Sequence, residues 1–263
     1  MYPESLGPMI FTFTGAGNVS QGAQGVFKEL PHEYVSPLDL QNVVETGDCH
    51  KVYATVVDKA DHLYRLAGGD YDDEEFEKFP DRYDSIFADK IAPYTTCLVN
   101  GVFWAPNTPR LLSIAQSSSL HPVHMDTSVL KLQGVPALPQ RLLAVADISC
   151  DLHGSLEFMS TVTTIDNPFT MYNVHTDSTS HDISGNGILL MSIDNLPAQL
   201  PREATDYFGN RLFPFISEML RLDGRKRLYD YEDISTSVKD AVIAYNGELT
   251  ERYKYIEELR STK

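Results

Sequence analysis

The stretch that decides the fold is Met9-Ile10-Phe11-Thr12-Phe13-Thr14, which runs directly into Gly15-Ala16-Gly17-Asn18-Val19-Ser20-Gln21-Gly22-Ala23. Its first part is apolar and β-prone, and its second part is a Gly-x-Gly turn that opens a helix. This order is typical of a Rossmann-type domain where it meets the pyrophosphate of a dinucleotide. We therefore predict a cofactor-binding loop made of Gly15, Gly17, Asn18, Val19 and Ser20.

Each residue of this loop has its own expected role. Gly15 permits the tight turn, and Gly17 lets the backbone approach the phosphates closely. The N–H groups of Asn18, Val19 and Ser20 point at the anion from the N-terminus of the helix. Ser20 replaces the third glycine of the usual pattern, and its small side chain still permits close packing of the helix on the strand.

Two other interpretations of the loop remain open. Gly-rich turns without a ligand are common after strands, so the motif by itself is a weak signal. Methyltransferases use a similar turn for S-adenosylmethionine, usually with an acidic residue just before the first glycine, where this chain has Phe13-Thr14. The position of the motif at the first βα turn of an α/β domain favours the dinucleotide.

The length, composition and net charge of the chain exclude several classes of function. The chain has 263 residues, of which 42% are hydrophobic, enough for one large domain or two small ones. No apolar run approaches the ~20 residues that span a bilayer, and we expect no signal peptide. The net charge of −16 argues against nucleic acid or an anionic membrane as partner. Cys49, Cys97 and Cys150 are far apart and odd in number, which indicates a reducing compartment without disulfides.

The remaining apolar runs predict an α/β fold, with a Rossmann-like, doubly wound and mostly parallel sheet and a C-terminal helical extension. Strands are predicted at residues 10–14, 33–35, 51–57, 94–101, 141–151 and 187–193. Helices are predicted at 19–30, through Phe76, Tyr83 and Phe87, and at 108–117, 201–220, 238–245 and 252–259, with a kink at Pro214. We place the NAD(P)-binding domain at 1–193 and the helical segment at 194–263.

The end of the second predicted strand bears on the choice of cofactor. NAD-binding domains usually hold the ribose hydroxyls with an acidic residue there, but this chain has Ser36-Pro37, with Asp39 slightly beyond. A missing acid removes repulsion against a 2′-phosphate and so favours NADP(H). NAD(H) stays open if Asp39 acts from a shifted loop.

Residues at the ends of two later strands are further candidate contacts. In doubly wound sheets, ligands bind beyond the carboxyl ends of the strands. Asn100 and Gly101 end the strand at 94–101, and Cys150 and Asp151 end the run at 141–151. We expect these residues near the nicotinamide half of a cofactor, although an ordinary turn explains Asn100 and Gly101 equally well.

Two segments suggest metal ligands but have simpler explanations. The carboxylates of 68–77 are interpreted as a solvated loop and the negatively charged first turn of a helix. The pair in His121-Pro122-Val123-His124 has a proline between the histidines and no third ligand nearby, so we interpret it as a surface loop. We therefore predict no metal site.

Several segments resemble, in one order along nearly the whole chain, the lysine–ketoglutarate reductase half of the animal α-aminoadipic semialdehyde synthases. They are Phe13-Thr14-Gly15-Ala16-Gly17-Asn18-Val19-Ser20-Gln21-Gly22-Ala23-Gln24, Ile91-Ala92-Pro93-Tyr94-Thr95-Thr96-Cys97-Leu98, Asn100-Gly101, Asn107-Thr108-Pro109-Arg110-Leu111-Leu112, Asp147-Ile148-Ser149 with Asp151, and residues 154–155, 157–159 and 192–205. The chain is more loosely similar to fungal lysine-forming saccharopine dehydrogenase and, at the level of fold, to alanine dehydrogenase.

This resemblance implies a two-domain reductase of lysine degradation. NADPH would deliver hydride to the imine of lysine and 2-oxoglutarate, giving saccharopine. The resemblance carries over Gly15, Gly17, Asn18, Val19 and Ser20 as the pyrophosphate loop, and Asn100 and Gly101 as contacts near the nicotinamide. It also implies that Asp151 lies by the nicotinamide and substrate, as the one candidate catalytic residue, to orient the substrate amine or stabilise iminium charge. From the sequence alone, a carboxylate that caps a helix or anchors a loop stays the alternative for Asp151.

In the family, a lysine and a histidine of a preceding domain act as acid–base groups, and this chain has no matching motif. We therefore expect the chain to be inactive in isolation and to pair with a missing N-terminal substrate domain, with a homo-oligomer as a further option. The resemblance implies the mitochondrial matrix, and the cytoplasm is expected otherwise. A non-catalytic dinucleotide-binding or interaction module stays an alternative function.

Overall fold

The computed structural model describes residues 7–120, 141–184 and 186–261. The chain divides into two units, Met1–Asp194 and Asn195–Lys263. The strands are β1 (Ile10–Thr14), β2 (His32–Tyr34), β3 (Val52–Val57), β4 (Leu63–Arg65), β5 (Tyr83–Ser85), β6 (Cys97–Asn100), β7 (Ala144–Asp147), β8 (Thr170–Asn173), β9 (Ser178–Ser180), β10 (Ile188–Met191), β11 (Ala244–Tyr245) and β12 (Glu248–Leu249). The helices are α1 (Asn18–Phe27), α2 (Leu40–Thr46), α3 (Lys59–His62), α4 (Asp73–Lys78), α5 (Phe87–Lys90), α6 (Ile114–Ser119), α7 (Pro201–Met219), α8 (Thr236–Ala241) and α9 (Tyr255–Ser261).

The first unit is built on an eight-stranded sheet with the order β2-β3-β1-β6-β7-β10-β8-β9. Its neighbours pair in parallel from β2 to β10. Strands β8 and β9 add an antiparallel edge. The predicted α/β fold with a mostly parallel sheet is confirmed.

Strand β1 lies in the middle of this sheet and is buried on both faces, as expected of a central parallel strand. Ile10 belongs to the large core cluster together with Leu98, whereas Phe13 packs with Phe27 in a second cluster. The ring centroids of Phe13 and Phe27 are 5.4 Å apart. Because Phe27 ends α1, this contact holds the helix on the sheet with its N-terminus at the end of β1.

The predicted helix through Phe76, Tyr83 and Phe87 is wrong. Asp72 caps α4 by accepting the N–H of Glu75 at 2.9 Å, and the helix ends at Lys78. Pro80 then starts a short 3₁₀ turn, and Tyr83 enters β5, which pairs antiparallel with β4. A proline cannot continue the helical hydrogen-bond ladder, and it restricts the residue before it to non-helical conformations.

Other boundaries also differ from the sequence prediction. The helix expected at 108–117 begins only at Ile114, because Ser113 forms a capping box with Gln116. The run expected as a helix at 238–245 is shortened to α8, and the hairpin β11–β12 follows it. The turn of that hairpin is Asn246-Gly247, with φ values of 55° and 86°, the pairing that a tight hairpin favours.

In the second unit, α7 continues through Pro214. The carboxylate of Glu218 near its end accepts the N–H of Ser235, the N-cap of α8, at 2.8 Å. Within the described ranges, no helix has the length and apolar content required to cross a membrane.

Candidate functional site

The glycine loop follows β1 at the carboxyl edge of the sheet. Gly15 has a φ of +80°, a left-handed conformation that L side chains rarely adopt. Its N–H donates to the carbonyl oxygen of Val57 at the end of β3, at 2.9 Å. A Cβ at this position would stand 3.5 Å from the carbonyl oxygen of Gly101 after β6. The loop therefore lies between the ends of β3 and β6, and its backbone conformation requires a glycine at position 15.

The N-terminus of α1 is open. Gly17 is the N-cap residue, and no side chain caps the helix. The N–H of Gln21 donates to the carbonyl of Gly17, so those of Asn18, Val19 and Ser20 have no helical acceptor. A Cβ at Gly17 would meet nothing within 4 Å. These donors and the positive end of the helix dipole form a cradle that fits a pyrophosphate.

The helix approaches the end of β6 closely. A Cβ on Gly101 would lie 3.1 Å from Cγ1 of Val19 and 3.4 Å from the backbone N of Ser20. Ser20 itself is buried, whereas Asn18 and Val19 are exposed. Close packing at the third position of the motif thus depends on the small Ser20 together with the glycine at 101.

A buried polar network joins the ends of β1, β6 and β7. Asn100 is fully buried, and its Oδ1 accepts the hydroxyl of Thr14 at 2.7 Å. Its Nδ2 lies within hydrogen-bond distance of Asp147 Oδ1 at 2.9 Å, Ser149 Oγ at 3.1 Å and Ser155 Oγ at 3.0 Å. Because its amide is engaged in this network, we assign the Asn100 side chain a positioning role, and its contact with a cofactor stays a prediction.

The carboxyl group of Asp147 lies inside this network, at 1% exposure. Burial raises its pKa above the ordinary range, opposed by hydrogen bonds from Ser149 and Asn100 and by the N–H of Cys150. The Ser149 hydroxyl donates to it at 2.6 Å. By accepting hydrogen bonds from Ser149 and Cys150, the buried Asp147 carboxylate therefore stabilises the turn after β7.

Cys150 and Asp151 follow that turn. Cys150 has a φ of 57°, and its Sγ lies 3.2 Å from the Oγ of Ser192 after β10. Burial raises the pKa of this thiol. Asp151 is half-buried, and Gly154 packs so closely that a Cβ there would lie 2.7 Å from the Asp151 Cβ. The proposed roles of both residues toward a cofactor stay predictions.

A cavity of about 450 Å³ lies beside the glycine loop. Its lining includes Lys59, His62 and Phe76 together with the segment 102–106 after β6. Val102 lines the cavity, and its Cα is 3.8 Å from the position that a Cβ on Gly15 would take. Burial lowers the pKa of His62 to about 4, and its Nδ1 lies 2.9 Å from Ser85 Oγ.

The strand beside β1 is β3, with Thr14 opposite Val57, and β2 lies outside β3 at the sheet edge. The sequence analysis took the end of the second strand, Ser36-Pro37, as the place for a ribose-binding acid. The structure corrects that premise, since the residue at the end of the strand next to β1 is Asp58. Ser36 instead caps a short 3₁₀ turn that contains Asp39.

Within the described ranges, no group of three or more histidine, cysteine, aspartate or glutamate side chains is arranged to hold a metal ion. The acidic residues Asp73, Glu74 and Glu75 lie in the first turn of α4. His121 and His124 lie outside the described residues.

Comparison with known proteins identifies relatives along the full chain. Alpha-aminoadipic semialdehyde synthase of Mus musculus, described as mitochondrial, is 51% identical over 263 residues, which are 100% of this chain and 28% of the mouse protein. The alpha-aminoadipic semialdehyde synthase of Arabidopsis thaliana is 34% identical over 272 residues, covering 99% of this chain and 24% of that protein.

Over its whole length the chain is similar to part of these alpha-aminoadipic semialdehyde synthases. It spans little more than a quarter of the length of the mouse protein. A shorter match, 29% identical over 103 residues, covers 35% of this chain and 25% of a saccharopine dehydrogenase (NAD(+), L-lysine-forming) of Schizosaccharomyces pombe. Residues 144–252 also match the family described as alanine dehydrogenase/PNT, C-terminal domain. The resemblance inferred from the sequence is confirmed.

The sequence did not predict two features of this edge of the sheet. The first is Asp58, because the expected spacing of about 20 residues from the glycine motif does not allow for a further strand in between. The second is the set of partners around Asn100, of which Ser149 and Ser155 lie in loops without a periodic pattern. The one hint of these partners in the sequence is the group of polar residues that follows the apolar run ending at Asp147.

Proposed function

We propose that this chain is the dinucleotide-binding part of an oxidoreductase of lysine degradation. The reaction is reduction of the imine of L-lysine and 2-oxoglutarate to saccharopine. The observation that carries the proposal is the open cradle at the N-terminus of α1, next to a left-handed Gly15. The reaction itself is supported by the similarity to alpha-aminoadipic semialdehyde synthases and to a lysine-forming saccharopine dehydrogenase.

When bound, the nicotinamide dinucleotide supplies the hydride for the imine carbon. The chain's own groups bind and orient: the N–H groups of Asn18, Val19 and Ser20 hold the pyrophosphate. The network of Thr14, Asn100 and Asp147 holds the ends of three neighbouring strands in register. A rigid edge of this kind fixes the ring position, and correct positioning accounts for much of the rate gain in such reactions.

We assign the substrate-facing role to Asp151. Its carboxylate accepts no hydrogen bond from the described residues, whereas that of Asp147 is engaged in the buried network. A carboxylate at the end of β7 orients the amine of lysine or stabilises the positive charge of the iminium. Cys150, which precedes it in the chain, and Gly101, which follows the adjacent strand β6, contribute backbone and small side-chain contacts to the nicotinamide half.

The compartment and the remainder of the site are part of the same proposal. The mouse and rat relatives are described as mitochondrial, which supports the mitochondrial matrix for this chain. The second wall of the substrate cleft belongs to a companion domain, which brings the acid–base groups, and residues 194–263 pack on that domain.

The sequence favoured NADPH because no acid stands at Ser36-Pro37, the end of the second strand. That argument no longer holds, because β2 lies at the edge of the sheet and is not the neighbour of β1. Both nicotinamide dinucleotides therefore enter the test.

The test is calorimetric titration of the chain with NADH, NADPH and S-adenosylmethionine. We expect one of the dinucleotides to bind at one site per chain and S-adenosylmethionine not to bind. A folded chain that binds neither dinucleotide overturns the proposal, and tight binding of S-adenosylmethionine alone identifies a methyltransferase turn instead.

A further inference from the structure

The turn after β7, which carries Asp151, has a backbone conformation that its residues rarely adopt. Cys150 and His153 have φ values of 57° and 54°, in the left-handed region that a Cβ disfavours. The N–H of Gly154 donates to the carbonyl oxygen of Asp151 at 3.0 Å and closes the turn. Such backbone persists only where its surroundings fix it. The groups that bind this turn from outside therefore determine where the Asp151 carboxylate lies.

The guanidinium of Arg110 binds the turn from outside. Its Nε donates to the carbonyl oxygen of Gly154 at 3.0 Å, and its Nη2 donates to the carbonyl oxygen of His153 at 3.0 Å. Its Nη1 lies 3.3 Å from Oε1 of Glu157. The donors of a guanidinium lie in one plane with fixed directions. One rigid group therefore holds two neighbouring peptide carbonyls of the turn.

Arg110 and Glu157 are in turn fixed by the segment between β6 and α6. The guanidinium carbon of Arg110 lies 5.2 Å from the centroid of the Trp104 ring, and Nε1 of that ring donates to the carbonyl oxygen of Thr108 at 3.2 Å. Oε2 of Glu157 accepts the N–H of Ile114, the first residue of α6, at 2.9 Å. These contacts connect the turn after β7 to the chain that follows the neighbouring strand.

We propose that Arg110 is a positioning residue for the reduction of the imine. It fixes the turn after β7 so that the carboxylate of Asp151 faces the substrate beside the nicotinamide. Arg110 acts through this turn rather than on the reacting atoms. The inference rests on the proposed function, because it needs Asp151 to act on the substrate.

Arg110→Lys separates the shape of the guanidinium from its charge. A lysine keeps a cation close to Glu157 and over the ring of Trp104. Its single ammonium does not present the planar fork that binds both carbonyls of the turn. The turn then relaxes and the Asp151 carboxylate is displaced, and a displacement of about 1 Å at a reacting group costs on the order of 100-fold in rate.

The experiment uses a chimera of the mouse relative in which this chain replaces the 263 matching residues. We expect Arg110→Lys to lower kcat by roughly 10- to 100-fold. The Kd of the reduced dinucleotide, measured by calorimetry, should stay nearly unchanged, because the glycine loop keeps its donors. In the Asp151→Asn background, Arg110→Lys should lower kcat little further, since residues that act as a unit have non-additive effects.

Arg82→Lys is the matched control. Nη1 of Arg82 lies 2.9 Å from Oε1 of Glu75, and its guanidinium lies over the ring of Phe79. Arg82 therefore has the same two kinds of partner as Arg110, but it precedes β5 and does not belong to the turn after β7. This variant should keep the kcat of the wild-type chimera.

Glu157→Gln is a milder second variant, which decides the question if Arg110→Lys does not fold. An amide oxygen can still accept the N–H of Ile114, whereas the charge opposite Arg110 is lost. Its smaller fall in kcat should also disappear in the Asp151→Asn background.

A wild-type kcat in folded Arg110→Lys overturns the inference and leaves the proposed function intact. A loss of kcat that multiplies in full with that of Asp151→Asn overturns it too, because a merely structural role predicts that result. A folded chimera with the wild-type sequence of this chain that binds the dinucleotide and forms no saccharopine overturns the proposed function instead.

Discussion

At the scale of single residues, Gly17 is a glycine that the fold itself does not require. Its φ is −76°, which any residue adopts, and a Cβ would meet nothing within 4 Å. Gly17→Val therefore leaves the fold intact but fills the space where a pyrophosphate approaches the backbone. We expect dinucleotide affinity to fall by roughly 100-fold or more, the size of a lost set of charge-assisted hydrogen bonds, as measured by calorimetry.

Gly25→Ala is the control for that variant, since this glycine lies in the same helix and also has open space around it. It should raise stability by roughly 0.5–1 kcal/mol through helix propensity and leave affinity unchanged. Equal affinity of the wild-type chain and Gly17→Val would remove the pyrophosphate from this loop.

His62 makes stability depend on pH. Burial lowers its pKa from 6.5 to about 4, so between these values the unfolded chain binds a proton that the folded chain does not. Stability from this group is complete above pH 6.5 and is lost as the pH falls towards 4, by up to about 3 kcal/mol. Urea unfolding at a series of pH values should show a shallower decline for His62→Gln.

Asp147 changes stability with pH in the opposite direction. Because its pKa is raised in the folded state, its protonation at low pH stabilises the folded chain. The group is present in both proteins, so the difference between wild type and His62→Gln isolates the histidine. Identical slopes in the two proteins would show that His62 is solvated in the native state.

At the scale of elements, the approach of α1 to the end of β6 is the critical packing. Gly101→Ala would place a Cβ 3.1 Å from Val19 Cγ1 and 3.5 Å from the carbonyl oxygen of Thr14. We expect a stability loss of about 1 kcal/mol from overpacking and a weaker cofactor site, because the N-terminus of α1 must move. Thermal unfolding and calorimetric titration measure the two effects.

Val19→Ala in the Gly101→Ala background tests that explanation. Removing Cγ1 relieves the closest contact, so the double variant should regain most of the lost affinity and stability, a coupling typical of residues in contact. Strictly additive effects of the two substitutions would show that the helix is not displaced by Gly101→Ala.

The elements also show what the sequence could predict. Strands β1, β3 and β10 were expected within about one to two residues, since apolar β-prone runs bounded by turns mark buried parallel strands. The order of these strands in the sheet could not be predicted from the sequence, because the pairing of β3 rather than β2 with β1 depends on tertiary packing. Strands β8 and β9 were missed because Ser178–Ser180 is short, polar and exposed.

The same contrast holds for the site. The glycine motif located Gly15 and the N-terminus of α1 correctly, since local chain geometry alone creates that turn. The convergence of Asn100, Asp147 and Ser155 is long-range, over separations of 47 and 55 residues, and no local pattern encodes it.

At the scale of the whole molecule, the long helix of the second unit exposes several large apolar side chains. No residue of the 19-residue helix α7 is buried, and Tyr207, Phe208 and Phe213 are each more than 60% exposed. Large exposed apolar surfaces mark interaction sites in many proteins. The expectation that this face, which also includes Ala204 and Leu212, meets a companion domain or another copy of the chain stays a prediction.

We expect this chain alone not to reduce the imine of lysine and 2-oxoglutarate. Among the residues that the structure describes, Asp151 is the candidate we assign to proton or charge chemistry, and the Nδ1 of His153 lies 3.0 Å from the carbonyl oxygen of Glu157. Each missing acid–base group costs about 10²–10⁴-fold in rate. Oxidation of NADH and NADPH, followed by the absorbance of reduced nicotinamide, should show no turnover above the uncatalysed rate.

Activity should return in a chimera of the mouse relative in which this chain replaces the 263 matching residues. In that chimera, Asp151→Asn should lower kcat more than it weakens dinucleotide binding, because the carboxylate acts on the substrate. Robust turnover by the isolated chain would place the acid–base groups within these 263 residues. It would contradict the proposal that this chain binds the cofactor while a companion domain supplies the acid–base groups. That proposal also rests on the need to exclude water, because a cofactor-binding edge without a second wall leaves the imine open to hydrolysis.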